Sequence, residues 1–182
     1  MKIGRIFVLL LITFGIGMVF GLAYSRAYPE EASRYLLKLG KEIGGLSKNP
    51  FDNFVRIFTH NASVALFVLV SGLFFGLGPW VMVFFNGAVV GIVAGVVVKH
   101  GFPVERLILG LAPHGVVEVP AFALAGTAGI LWYKSIRKTQ ESAEGFKEGM
   151  KTAFKLYGVA LVMLLLAAFI EAYITPKIAG FG

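Results

Sequence analysis

Five apolar runs set the terms on which this chain can fold: roughly Ile6 to Tyr24, His60 to Leu77, Val81 to Val98, Leu107 to Tyr133 and Ala153 to Thr175. A helix needs ~20 mostly apolar residues to cross ~30 Å of hydrocarbon. Inside a bilayer no water satisfies the backbone, so runs of this kind become α-helices whose hydrogen bonds close within the segment. Composition points the same way. The 182 residues are 57% hydrophobic and 15% charged, with a mean hydropathy of +0.80, which leaves too little polar surface to cover a soluble globule. The expected fold is an all-α membrane protein, one integral domain over residues 1–182, with about five transmembrane helices and additional amphipathic helices at the interface. The first run follows Lys2 and Arg5, as a signal peptide's would. Its apolar core is longer than such signals carry, and no small-x-small cleavage pattern precedes Tyr28–Pro29, so it reads as a retained span. A multi-pass protein of the cell membrane is the expected location.

The segments between the runs carry helix signals of their own. Pro29, Glu30 and Glu31 suit a first helical turn, and Gly44–Gly45 suits a stop. Between them Leu36, Leu39 and Ile43, with Leu46 beyond, fall at helical spacing opposite Arg34, Lys38, Lys41 and Glu42. Asn49 then offers an N-cap with Pro50 at the first helical position, followed by the stripe Phe51, Phe54, Val55 and Phe58. Ala143, Phe146, Met150 and Phe154 line one face of the stretch from Gln140 to Lys155. These patterns predict interfacial helices at about 29–44, 50–58 and 140–153.

The chain has no cysteine and a net charge of +7. The first fact excludes disulfides, thiolate catalysis and cysteine-ligated metals. The second suits anionic lipid headgroups, and without a soluble basic face it gives no reason to expect nucleic acid. Lys134, Arg137 and Lys138 directly follow the fourth run, which orients the N-terminus inward by the positive-inside rule.

Helices in lipid pack through small residues that let backbones approach. Gly17 and Gly21, Gly72 and Gly76, the ladder Gly87–Gly91–Gly95, and Ala121–Ala125–Gly129 all recur at four-residue spacing. The ladder predicts a close contact either within one bundle or across a homodimer. Leu77–Gly78–Pro79 reads as a tight turn that makes spans two and three an antiparallel hairpin.

The polar residues inside the runs are where function is sought, because ionisable groups at membrane depth are costly and rare. The fourth run contains Ala112-Pro113-His114-Gly115-Val116-Val117-Glu118-Val119-Pro120. His114 and Glu118 are i and i+4, on one helix face, with Gly115 allowing close approach. Pro113 and Pro120 cannot donate to the carbonyls of Leu109 and Val116, so a kink or break is expected between them. Glu171 is a second carboxylate near the end of the fifth run. His60 and Asn61 open the second, and Asn86 sits in the third. His114 and Glu118 are expected to converge on a common polar cavity with Glu171 and at least one of Asn61, Asn86 or His60.

Three chemistries fit that set. The groups can satisfy one another as interhelical hydrogen bonds. His114, Glu118 and Glu171 can ligate a divalent metal such as zinc, on which an intramembrane hydrolase would be built. A broken helix near the midplane can serve a small transporter. Against a hydrolase, the chain has three histidines, and neither Ser63 nor Ser71 is paired with a base by any local motif.

The stretch from Asn61 to Leu66, the Gly72/Gly76 spacing, Asn86–Gly87 with Gly91, Pro113-His114-Gly115 with Glu118-Val119-Pro120, and the closing Ile170-Glu171-Ala172-Tyr173-Ile174-Thr175-Pro176 together resemble the stage II sporulation protein M family. The resemblance runs from about Asn49 to Pro176. It implies a small integral membrane protein without established enzymatic activity. In spore formers the family's namesake is a membrane anchor that recruits peptidoglycan-degrading partners during engulfment, and many members belong to organisms that form no spores, archaea among them. The implied role here is a non-enzymatic scaffold that contacts the lipid bilayer and other membrane proteins.

Overall fold

A computed structural model of the chain describes residues 3–43, 47–138 and 142–180. The proposed stop at Gly44–Gly45, the apolar position Leu46, and the start at Gln140 lie outside the described residues. The helices are α1 (Ile3–Ala27), α2 (Pro29–Ile43), α3 (Pro50–Ser71), α4 (Gly78–Lys99), α5 (Val104–Lys138) and α6 (Ser142–Phe169), then a π-helical turn (Ile170–Ile174) and α7 (Thr175–Ala179). Among the described residues there is no strand. Among the described residues, five helical stretches are long and apolar enough to cross a membrane: α1, α3, α4, α5 and the run from Ala143 to Ala179. The protein is an all-α, multi-pass membrane protein in contact with lipid.

α5 is the centre of the bundle. Its middle turns, Ala121 to Ile130, are almost wholly buried, because Ala121, Ala125, Gly126 and Gly129 present so little side chain that neighbours close in on every side. Ile6 and Leu10 of α1, Ala65 and Val68 of α3, Val83 of α4, and Ala160 and Leu164 of α6 pack around them in one core. Outward-facing Val8, Phe67, Phe85, Val116 and Val162 are more than half exposed, as expected of side chains whose solvent is lipid. Ile3 of α1 lies beside Lys134 and Lys138 at one end of the bundle, as does the α3–α4 turn through Phe75 and Tyr133. Gly180 and Arg106 meet at the opposite end.

The glycine patterns resolve into two seams. Gly87 and Gly91 of α4 face the main chain of Phe14 and Met18, Gly95 faces Ser25, and reciprocally Gly17 and Gly21 of α1 face Phe84 and Ala88. The ladder is therefore occupied by α1 of the same chain. Gly72 and Gly129 form the second seam, where α3 meets α5 backbone to backbone.

Several local expectations are corrected. The second run ends at Ser71, not Leu77, and Gly72 to Leu77 form the turn. Gly76 is thus not half of a helix-packing pair. It sits at φ +72°, next to Phe75 at φ 55°, in the left-handed region that glycine enters at little cost. The stretch 50–58, and the described part of 140–153 from Ser142 on, are not separate interfacial helices but the first turns of α3 and α6. Asn49 caps α3 by accepting from the Phe51 N–H at 3.0 Å, and no breaker follows before Ser71. α2 alone stands as a separate amphipathic helix, with Leu36 and Leu39 half-buried and Arg34 and Lys41 exposed. The fourth span does not break either. α5 runs as one helix of 35 residues through both prolines, about 52 Å at ~1.5 Å per residue. Pro113 and Pro120 stand seven residues apart, so each removes one donor while the hydrogen bonds between them persist.

Candidate functional site

His114 and Glu118 project from adjacent turns of α5, as their i, i+4 spacing requires. The Asn61 amide of α3 donates to Glu118 Oε2 at 3.0 Å, and His114 Nε2 lies 4.0 Å from Glu171 Oε2. One ligand-type atom from each of His114, Glu118 and Glu171 falls within 4.8 Å of the other two. The cluster therefore joins three parts of the bundle: α3, α5 and the π turn that closes the last span. Its members are largely withdrawn from the surface, with 12% of the His114 side chain exposed and 33% of that of Glu171.

The π turn explains how Glu171 reaches the cluster. Pro176 has no N–H and cannot tolerate the carbonyl that a regular α-helix would place four residues back. The chain widens instead, and the Thr175 N–H reaches the carbonyl of Ile170. A single π turn inside a helix rotates the side chains it carries relative to an α-helix, and such turns recur at functional sites. Thr175 itself is buried, and its Oγ1 has no hydrogen-bond partner among the described residues, nor has His114 Nδ1.

A cavity of about 440 Å³ adjoins the cluster between α1, α4 and α5, lined by His114, Glu118, Asn86, Phe14, Met18 and Leu111 among others. Its walls are apolar and its polar groups few. Asn86 contributes to this lining while its own amide donates to the Met82 carbonyl one turn back, at 3.1 Å. Gly115 also lines the cavity, yet a Cβ there would meet nothing within 4 Å, so it is not the close-approach position expected of it. His60 is exposed on α3 and does not join the cluster, since one residue's step turns it about 100° away from Asn61 on the helix. Tyr157 of α6 adds an interhelical bond that no pattern pointed to, its hydroxyl donating to the Ala62 carbonyl at 2.9 Å.

Chemically, the arrangement offers one imidazole, two carboxylates and a carboxamide already engaged with one of them. It can hold helices together, and it can present oxygen and nitrogen donors to a small cation. Among the described residues no serine or threonine hydroxyl is hydrogen-bonded to His114, Glu118 or Glu171.

Residues 7–176 match the family of stage II sporulation protein M. The chain belongs to the stage II sporulation protein M family. An uncharacterized protein of the archaeon Methanocaldococcus jannaschii is 30% identical over 181 residues, which cover 96% of each chain. No solved structure matches. The family match takes in every member of the cluster, from Asn61 to Thr175, as well as both glycine seams.

Proposed function

We propose that this stage II sporulation protein M family protein is a non-enzymatic scaffold of the cell membrane, an anchor that holds partner proteins at the bilayer. The family match over residues 7–176 carries this reading. The distribution of polar groups supports it. Those in the core join helix to helix, as Asn61 does to Glu118 and Tyr157 to Ala62, while exposed charges lie at both ends of the bundle, among them a basic group where α5 meets the start of α6. There α5, at about 52 Å, outruns ~30 Å of hydrocarbon, and it pairs with the start of α6 through the Trp132 indole, which donates to the Phe146 carbonyl at 3.0 Å. Arg137, Lys138, Lys147, Lys151 and Lys155 are exposed on this projecting hairpin, a basic platform suited to an acidic partner surface or to headgroups. In a spore former, wall-remodelling hydrolases are the partner class to test first.

The test is crosslinking and purification of the tagged chain from its native membranes, alongside an Arg137→Glu/Lys138→Glu variant. The expected result is a stoichiometric partner whose recovery falls at least fivefold with the variant, while the variant's own abundance is unchanged. Recovery of the chain alone in both preparations would contradict the scaffold reading, as would hydrolytic activity of the purified chain lost on His114→Ala.

A further inference from the structure

His114, Glu118 and Glu171 surround a space that chemistry leaves unbalanced. Two carboxylates approach each other in the apolar interior of a bundle, and no lysine or arginine lines the adjoining cavity. Buried charges of like sign need protons or a counter-ion close by. We propose that these three side chains hold one divalent first-row transition cation, of the chemistry of Zn²⁺. The inference goes beyond the scaffold reading and stands whether or not the chain recruits a partner.

Four observations carry it. The donor atoms, one imidazole nitrogen and two carboxylate oxygens, are each of a type that zinc accepts, and three protein ligands leave a fourth position open. The atoms already lie within 4.8 Å of one another, against about 3.4 Å between ligands bonded at ~2.0–2.1 Å in a tetrahedron. The partly exposed Glu171 side chain can close that difference by rotation. Asn61 holds Glu118 through Oε2 and leaves the other oxygen unengaged by that bond, the arrangement by which an outer partner orients a metal-ligating carboxylate. Finally, the buried His114 Nδ1 and Thr175 Oγ1 are both without partners among the described residues. Thr175 follows Glu171 by four residues, on the same helix face, as a further oxygen beside the site. The open position would face the cavity of about 440 Å³ that His114 and Glu118 line, which has room for a water ligand.

The experiment uses the full chain in detergent, stripped with a chelator and titrated with ZnCl₂ by calorimetry, with elemental analysis after reloading. The expected result is one zinc per chain. His114→Ala and Glu171→Gln should each weaken binding at least tenfold, while His60→Ala, His100→Ala and Glu144→Gln retain the wild-type affinity. X-ray absorption should show a single imidazole ligand that His114→Ala removes. Glu171 is partly exposed, so its variant keeps the test available if one at Glu118 fails to fold. Absence of saturable zinc binding to the wild type overturns the proposal, and so does binding that survives both His114→Ala and Glu171→Gln.

Discussion

Replacing Gly91 with leucine should remove ~3 kcal/mol or more of stability, or prevent recovery of folded protein altogether. Overpacking usually costs about 1–3 kcal/mol when flexible side chains can move aside. Here the first added carbon already falls on the main chain of Met18 and Leu22, which cannot yield without separating α1 from α4. Gly17, Gly21 and Gly87 are held against the opposite main chain in the same way, so the damage would spread along the seam. Gly15 is the matched control, because a Cβ there meets nothing within 4 Å. Gly15→Ala should leave stability unchanged or raise it by up to ~1 kcal/mol through helix propensity. Unfolding of both variants in the same detergent separates the two cases, and a Gly91→Leu protein as stable as wild type would refute the packing described.

The second large effect is expected at Glu118. Glu118→Ala takes away the acceptor of the Asn61 amide and leaves a buried donor unsatisfied, at a cost of about 1–3 kcal/mol. Glu118→Gln keeps an oxygen that Asn61 can reach and removes only the charge, so its stability should stay within ~1 kcal/mol of wild type. Cellular function should nevertheless fall with Glu118→Gln and persist with Glu144→Gln, since Glu144 is exposed near the start of α6 and surface changes of that kind are usually worth less than ~0.5 kcal/mol. The loop residue Glu141, adjacent in sequence, lies outside the described residues, which makes Glu144 the better comparison. Complementation by Glu118→Gln at the wild-type level would show that the carboxylate's charge has no role.

The sequence announces its membrane character because apolar run length is a property of composition alone, and all five spans can be found that way. Their ends are another matter. The second span stops at Ser71 because Gly72 must meet Gly129 backbone to backbone and Gly76 must turn the chain, and both demands come from neighbours remote in sequence. Small-residue spacing foretells a close contact without naming the partner helix, so the Gly87–Gly91–Gly95 ladder was compatible with a second copy until α1 was placed against it. The prolines of α5 foretold a kink or a break, and the helix stays continuous through both. Each forbids one hydrogen bond, and whether a helix survives that loss depends on the helices packed around it.

Within the site, the pair His114 and Glu118 is legible from i, i+4 spacing, and at least one of Asn61, Asn86 or His60 is expected beside it. Choosing Asn61 over His60 requires the rotation of α3 about its axis, and over Asn86 that of α4, which hydrophobic patterning fixes only loosely in helices that are apolar on most faces. Pro176 was the available signal for the π turn that directs Glu171, since a proline late in a helix forces some local departure. Tyr157 and Thr175 left no such mark, because a single hydroxyl in an apolar run looks the same whether it faces lipid or a neighbouring helix.

The convergence of α3, α5 and the π turn on one polar cluster is tested most directly by a double-mutant cycle between Asn61 and Glu118. Unfolding free energies would be measured for wild type, Asn61→Ala, Glu118→Ala and the double variant in the same bicelles. Interhelical hydrogen bonds in membranes average ~0.6 kcal/mol and reach ~1.7 kcal/mol, and the 3.0 Å bond to a carboxylate should place this coupling in the upper part of that range. Additive single effects, with no coupling beyond error, would contradict the account.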